Sequence, residues 1–501
     1  MSNEFRQYRA PTGNGSLLAE PPIADYADAV SASALALDTC EVRLAGIPVC
    51  RLRIRARADV ARLTGRPVGP VLMGGHQPEA FHPGVWIKNF ALSRLASRTG
   101  RTPLHMIADG DTAKIAGIRF PTISADPAKV HTESLAWDRF TGEVPWEERT
   151  IADPELFASF PKRAKQLTKD WGYTPLLESL WPASANDPAE AFTAMRRTLE
   201  ARWGLNNAEV RLSQLCETTV FTALVRELVA SAGHFAEIYN RAVVEYRKSH
   251  GIHSRNHPVP NLAVSSEWVE LPLWGWQEGD TTRGRVFAGT AGRLTVVPPG
   301  RNLPDDSATV YQIDSHPLKL RPRALLTTLF CRVLIADGFI HGIGGGKYDE
   351  VTDLLIERWL GIAPPKFIVV SATIHLPLPH FPTTSAQLHG TRDDLRRLHW
   401  NPETAIDTSD TARSSMVAEK RRLLDATIED RQARRWNYRL LRRLGDGMRD
   451  AVRERAIATA EREARQSLEV KANAHLRRRD YSFLLYPEEY LRPMLFDLAG
   501  G

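Results

Sequence analysis

Cysteine is scarce in this sequence: four residues in 501, at Cys40, Cys50, Cys216 and Cys331. None forms a Cys-x-x-Cys pair and no histidine cluster flanks them, which speaks against a zinc knuckle and against a disulfide framework, and fits a reducing compartment. Long apolar runs are also missing. The most apolar stretch, 324–340, carries Arg332 and Asp337 and reads as buried core rather than a membrane span. The first twenty residues are polar, with glycine and proline, and lack the apolar run of a signal peptide; a cytoplasmic protein without a membrane partner is expected. There is no repeat period and no low-complexity tract. Charge of one sign is not in large excess either: 65 Lys and Arg against 59 Asp and Glu give a net charge of +6. Much of the basic excess lies in the arginine-rich C-terminal region, where a solvated helix face explains it more cheaply than nucleic acid does.

What is present is an α/β grammar. Val71-Leu72-Met73 is a short apolar strand ending in Gly74-Gly75-His76-Gln77-Pro78. Pro83-Gly84 opens a helix with Ile87, Ala91 and Leu95 on one face, Gly100 stops it, and Leu104-His105-Met106-Ile107-Ala108 is a second strand ending in Asp109-Gly110-Asp111. Strand, helix, strand implies parallel pairing with a right-handed crossover. The pattern recurs at Phe339-Ile340-His341, the turn Gly342-Ile343-Gly344-Gly345-Gly346-Lys347, a helix carrying Val351, Leu354, Leu355 and Trp359, and the strand Phe367-Ile368-Val369-Val370. An open parallel sheet with helices on its faces is expected.

The expected organisation has three parts. Residues 1–65 form an N-terminal extension, flexible to about residue 25, with a strand pair over 41–55 around Ala45-Gly46. Residues 66–390 form the α/β core, interrupted over about 130–315 by a helical insertion (186–250) and a strand-rich one (264–297) around Trp268, Trp274 and Trp276. Residues 391–501 are helical, and Leu441, Leu444, Met448 and Ala451 follow the spacing of a short coiled-coil seam or helical hairpin.

Ligands of open α/β sheets bind outside the carboxyl ends of the strands, so three loops carry the candidate chemistry. In the first, His76, Gln77 and His82 precede a helix start, and Lys88 follows one turn in; imidazoles, free helix N–H groups and the lysine suit a phosphate or carboxylate. In the second, Asp109 and Asp111 can hold a divalent cation or act as a general base and its orienting group, although an Asx-type turn gives the same spacing. In the third, Gly344, Gly345, Gly346 and Lys347 form a glycine-rich anion loop; it is neither a Walker A sequence nor a strict dinucleotide fingerprint. Arg321 and Arg323 can clamp a carboxylate, or pair with a core acid.

The ordered set Gly74-Gly75-His76-Gln77-Pro78 through Pro83-Gly84 and Lys88, then Ile107-Ala108-Asp109-Gly110-Asp111, Leu320-Arg321-Pro322, Gly344-Gly345-Gly346 and Tyr486-Pro487-Glu488-Glu489 resembles the bacillithiol-biosynthesis cysteine-adding enzymes, a family of cysteine ligases. The resemblance is patchy over 69–492. His76 stands where that family usually has glutamine, and Lys347-Tyr348 where it has Pro-Gly-Glu. It implies a Rossmann-like core with insertions, a C-terminal coiled coil that dimerises, and a reaction joining cysteine or another amine to a small sugar-type acceptor. On this reading His76, Asp109 and Asp111 are catalytic, and Gln77, His82, Lys88, Arg321, Gly344, Gly345, Gly346 and Lys347 bind substrate. No metal site is assigned, and use of ATP or another nucleotide is left open. Two alternatives stand beside it: a nucleotide-dependent nucleotidyl- or glycosyltransferase with the acid pair on a metal, and a non-catalytic dimeric scaffold using the basic stretch 420–443.

Overall fold

The computed structural model describes residues 8–315, 317–407 and 409–500. The chain divides into two compact units, one made of Met1–Phe120, Ser134–Pro377 and Arg479–Gly501, the other of Pro121–Glu133 and Leu378–Arg478.

The first unit is a mixed α/β structure. Strand β1 (Ser16–Glu20) lies in the segment expected to be a flexible lead-in; it pairs along its whole length with residues 369–373, so that expectation is corrected for residues 16–20, and Met1 to Gln7 lie outside the described residues. A hairpin follows, Arg43–Leu44 against Ile47–Pro48. Ala45 and Gly46 take φ of 46° and 79°, the left-handed pair of a two-residue turn. The expected second strand through residue 55 is instead the start of α1 (Val49–Thr64). Its buried residues Val49, Leu52, Arg53, Ala56 and Val60 repeat every three to four positions, a helical period that a short apolar-polar alternation imitates.

Then come β2 (Val71–His76), α2 (Pro83–Thr99) and β3 (Thr102–Ile107). Beyond an insertion, β4 (Ala208–Arg211) joins the same sheet. Its four residues, inside a stretch of helical pattern, give too short a run to be read from sequence. Helix α3 (Ala324–Phe330), β5 (Gly338–His341), α4 (Ile343–Leu360) and β6 (Phe367–Thr373) complete the core. The sheet order is β1-β6-β5-β2-β3-β4, with β1 antiparallel and the other five parallel. A second, five-stranded antiparallel sheet takes Val269–Gln277, Gly284–Ala288, Arg293–Val297, Val310–Gln312 and Leu318–Pro322.

The apolar stretch 324–340 is buried core, and its two charges are neutralised in place. Arg332 reaches Asp349 at 2.5 Å and Asp353 at 2.6 Å, while Asp337 takes Arg53 at 2.6 Å and Arg57 at 2.7 Å. Pairing of this kind is what a buried charge requires. No helix among the described residues is long and apolar enough to cross a membrane.

The second unit holds α5 (Ser385–Trp400), α6 (Thr411–Asp425), α7 (Arg431–Ala451) and α8 (Arg453–Leu476). Helix α5 packs along α8, and α6 against α7. Met448 and Ala451 of the anticipated seam pack with Leu398, Ile406 and Val452 in a small core inside this unit. The terminal helix Glu488–Gly500 belongs to the first unit, where it packs on α2.

Candidate functional site

From β2 the chain continues to β3 and β4 on one side of the sheet, while β5 and β6 lie on the other. The loops leaving β2 and β5 therefore part at their carboxyl ends, the switch point where open α/β sheets leave a crevice. A cavity of about 1090 Å³ opens there. His76, Gln77, His82 and Lys88 line it from the first loop, Asp111 from the second, and Gly344, Gly345 and Lys347 from the third. Asp109, Arg321 and Gly346 are not among its lining residues.

His76 ends β2, with Nδ1 3.1 Å from the Gln77 carbonyl and its ring edge-on to Phe81 at 5.1 Å. Burial, helped by the Lys88 charge, pushes its pKa down to about 3. His82 is the residue before α2, yet its side chain makes no capping bond, and its buried Nδ1 has no hydrogen-bond partner. Burial and then Arg479 push its pKa down to about 4. Both imidazoles are therefore neutral at pH 7 and offer hydrogen bonds rather than charge. Cationic charge comes from Lys88, Lys347 and Arg323, which the sequence singles out, and from arginines that it does not. Lys88 Nζ donates to the Gly75 carbonyl at 2.7 Å, and burial pushes its pKa down to about 8. Arg283, Arg285, Arg323 and Arg479 also line the cavity.

The two loop acids do not act as a pair. Asp109 is wholly buried, and its oxygens accept from the Ser213 N–H at 2.9 Å and the Ser213 hydroxyl at 2.6 Å. Burial raises its pKa, with Ser213 opposing. Asp111 accepts from the Gln77 amide and from Thr112 N at 2.9 Å, and pairs with Arg283 at 3.0 Å. Among the described residues no group of three or more His, Cys, Asp and Glu could hold a metal ion. Arg321 is held by Glu147 (2.8 and 2.9 Å) and Glu217 (2.9 Å), so the core-acid alternative is the observed arrangement. Arg323 differs. Its Nη1 pairs with Glu270 at 2.8 Å, but Nε and Nη2 are buried without a hydrogen-bond partner. The guanidinium groups of Arg283 and Arg323 sit over the Trp274 ring, 4.4 and 4.3 Å from its centroid, so one tryptophan positions two cations.

The third loop holds a pair that sequence reading missed. His341, at the end of β5, places Nε2 2.7 Å from Oδ2 of Asp349 on α4, and the same carboxylate meets Arg332. Burial opposes the charge on Asp349, but Arg332 and then His341 outweigh it and hold its pKa well below the usual carboxylate range. A Cβ on Gly345 would lie 2.6 Å from His341 Nδ1, and one on Gly346 2.3 Å from Val369 Cγ2. These two glycines make room for an imidazole and for β6, and Gly345 faces the cavity as well. Ile343 and Gly344, in the first turn of α4, do line the cavity, and Gly342 before them offers no capping side chain. The signal available in sequence was a histidine ending a strand, with an acid two turns into the next helix.

A second, smaller cavity of about 390 Å³ shares His76, His82, Val85 and Asp480 with the first. Its remaining wall brings four aromatic rings, Phe81, Trp137, Trp146 and Phe192, together with Glu79, Lys114 and Arg119. No family model matches this chain, and no curated protein matches it.

Proposed function

We propose that the protein is a condensing enzyme, a ligase that joins an amine, a cysteine-like amino acid, to a small anionic acceptor of sugar type, on a Rossmann-like core. The observation that carries this reading is the pair of compartments meeting at His76 and His82: one wide and rich in arginine and lysine, one narrow, with four aromatic rings beside charged residues of both signs. Such a division suits two unlike substrates. In this reading the acceptor lies in the wide compartment, its anionic groups against Lys88, Arg323 and the first turn of α4, where the helix dipole favours negative charge. The amine enters past the neutral imidazoles, and His82 Nδ1 accepts a hydrogen bond from it. The amine lone pair forms the new C–N bond, the bond from carbon to a phosphate-type leaving group breaks, and that group departs with the electron pair. The proton released from nitrogen passes to Nδ1 of His341, whose other nitrogen is fixed by Asp349. ATP or another nucleotide is one source of the leaving group and belongs among the anions to be tested. Holding both reactants in place supplies much of the rate of such a reaction.

The transferase alternative, which needs Asp109 and Asp111 on one metal, has less support, because Asp109 is engaged by Ser213. The test is calorimetric titration of the full chain with phosphate, pyrophosphate, ATP and acidic amino-sugar conjugates, each with and without cysteine, followed by mass spectrometry of the mixtures. Anion binding that Lys88→Met and Arg323→Ala both weaken, and an amine that binds only after the anion, are expected. Binding of nucleotide only together with Mg²⁺ or Mn²⁺, unchanged in those variants, would overturn the reading.

A further inference from the structure

The second unit carries a surface unrelated to this cavity. Arg431, Arg434, Arg435, Tyr438, Arg439 and Arg442 line a shallow groove of about 710 Å³ on α7. Their spacings of three, one, three, one and three residues place all six on one face of the helix, over about 16 Å at 1.5 Å per residue. The neighbouring cations find acids: Lys420 meets Glu403 and Arg422 meets Glu419, at 2.6 and 2.7 Å. Along the stripe Arg434 reaches only the Glu429 carbonyl, at 2.9 Å, and among the described residues none of its five arginines has an ion-pair partner. Like charges at three- and four-residue spacing repel one another, and a face kept merely soluble would intersperse acids. Tyr438 stands 66% exposed among these arginines.

We propose that this face of α7 binds single-stranded nucleic acid, with phosphates on the arginine stripe and a base stacked on Tyr438. Unpaired arginines around an exposed aromatic ring are what a sequence-tolerant strand site requires. A helix lying on a membrane instead frees its apolar face for lipid; here Met448 on that side is buried inside the unit, while Tyr438 stands within the arginine row. This inference departs from the expectation of a merely solvated face, and it does not depend on the proposed ligase activity.

The test is fluorescence anisotropy of labelled uridine and deoxythymidine strands of about 20 nucleotides, titrated with the full chain between about 50 and 200 mM salt. Binding at about 150 mM salt is expected, with affinity falling as salt rises at a log–log slope of about −3.5 for five phosphate contacts. The triple substitution Arg434→Glu, Arg435→Glu and Arg439→Glu lowers the slope by about 2 and the affinity by tenfold or more. Tyr438→Ala weakens binding about fivefold or more, and Tyr438→Phe restores it. These side chains are exposed, so the variants keep the wild-type melting temperature, which circular dichroism checks. No binding of either strand at about 150 mM salt, an unchanged slope in the triple variant, equal competition by polyglutamate, or sedimentation with phosphatidylserine vesicles in place of strand binding would overturn the proposal.

Discussion

Nε2 of His341 lies 2.7 Å from the Asp349 carboxylate, and that carboxylate is itself held by Arg332 at 2.5 Å. The carboxylate can only accept, so Nε2 carries a proton toward it, and Nδ1 lies beside Gly345 on the cavity wall. An imidazole oriented this way can take a proton without first reorienting.

Replacing His341 by alanine is therefore expected to lower turnover of the condensation by about 10²- to 10⁴-fold, the range of a lost acid–base group. The melting temperature should stay near that of wild type, because Arg332 still neutralises Asp349. Asp349→Ala should instead unfold the protein several degrees earlier, since Arg332 then loses a buried partner, a change that costs about 3–5 kcal/mol in comparable sites. A turnover rate unchanged in His341→Ala would remove it from the reaction.

Lys88 gives a pH prediction with two opposite signs. Burial holds its pKa in the folded chain at about 8, below the ordinary lysine value of 10.5, so between these values the unfolded chain binds the proton more tightly. Stability without ligand should rise as pH increases from about 8 to 10.5, by up to about 3 kcal/mol. Anion affinity should fall over the same range as the ammonium is lost. Lys88→Met is expected to flatten both profiles and to raise the melting temperature at pH 7. Titration calorimetry and thermal melts across this range check the pair, and parallel trends in the two profiles would count against a charged Lys88 at the anion.

Asp109 separates a structural role from a catalytic one. Both its oxygens are engaged by Ser213, so Asp109→Ala leaves a half-buried N–H and a half-buried hydroxyl without their acceptor. A loss of about 1–3 kcal/mol in stability is expected, read by urea denaturation. Asp109→Asn keeps an acceptor and should recover part of it. At a temperature where both variants are fully folded, turnover should fall less than tenfold; a loss like that of His341→Ala would return Asp109 to the chemistry.

The parallel core was legible because β2, β3, β5 and β6 are short apolar runs separated by turns and helical periods, and each pattern admits a single reading. The gathering of the three loops was legible for the same reason: strand ends of one parallel sheet face one side. What escaped was set by tertiary contact. The alternation in residues 49–55 fits strand and helix equally well until α1 packs. Strand β4 is only four residues long and is defined by its neighbour β3. At the site, Asp109 and Asp111 look equivalent in sequence, but the chain turns one toward Ser213 and the other toward Gln77. Trp274 lies in the second sheet and Arg283 and Arg323 adjoin strands of it, and no local pattern could bring the three together.

Arg321 and Arg323 sit two residues apart and offer a direct contrast. Every side of Arg321 is committed to Glu147, Glu217 or a backbone carbonyl. Arg323 spends Nη1 on Glu270 and keeps Nε and Nη2 buried and unbonded, a costly arrangement for a cation unless a ligand completes it. Arg323→Lys retains the charge but loses the planar fork, so anion affinity should drop about tenfold or more, at 1.5–3 kcal/mol for a charge-assisted bond. Its melting temperature without ligand should hold or rise, because the unbonded buried N–H groups are gone. Arg321→Lys should behave in the opposite way, with a lower melting temperature and nearly unchanged anion affinity. Calorimetric titration with pyrophosphate and thermal melts on the two variants distinguish the roles. Equal affinity losses would mean that Arg323 serves, like its neighbour, only to hold the second sheet together.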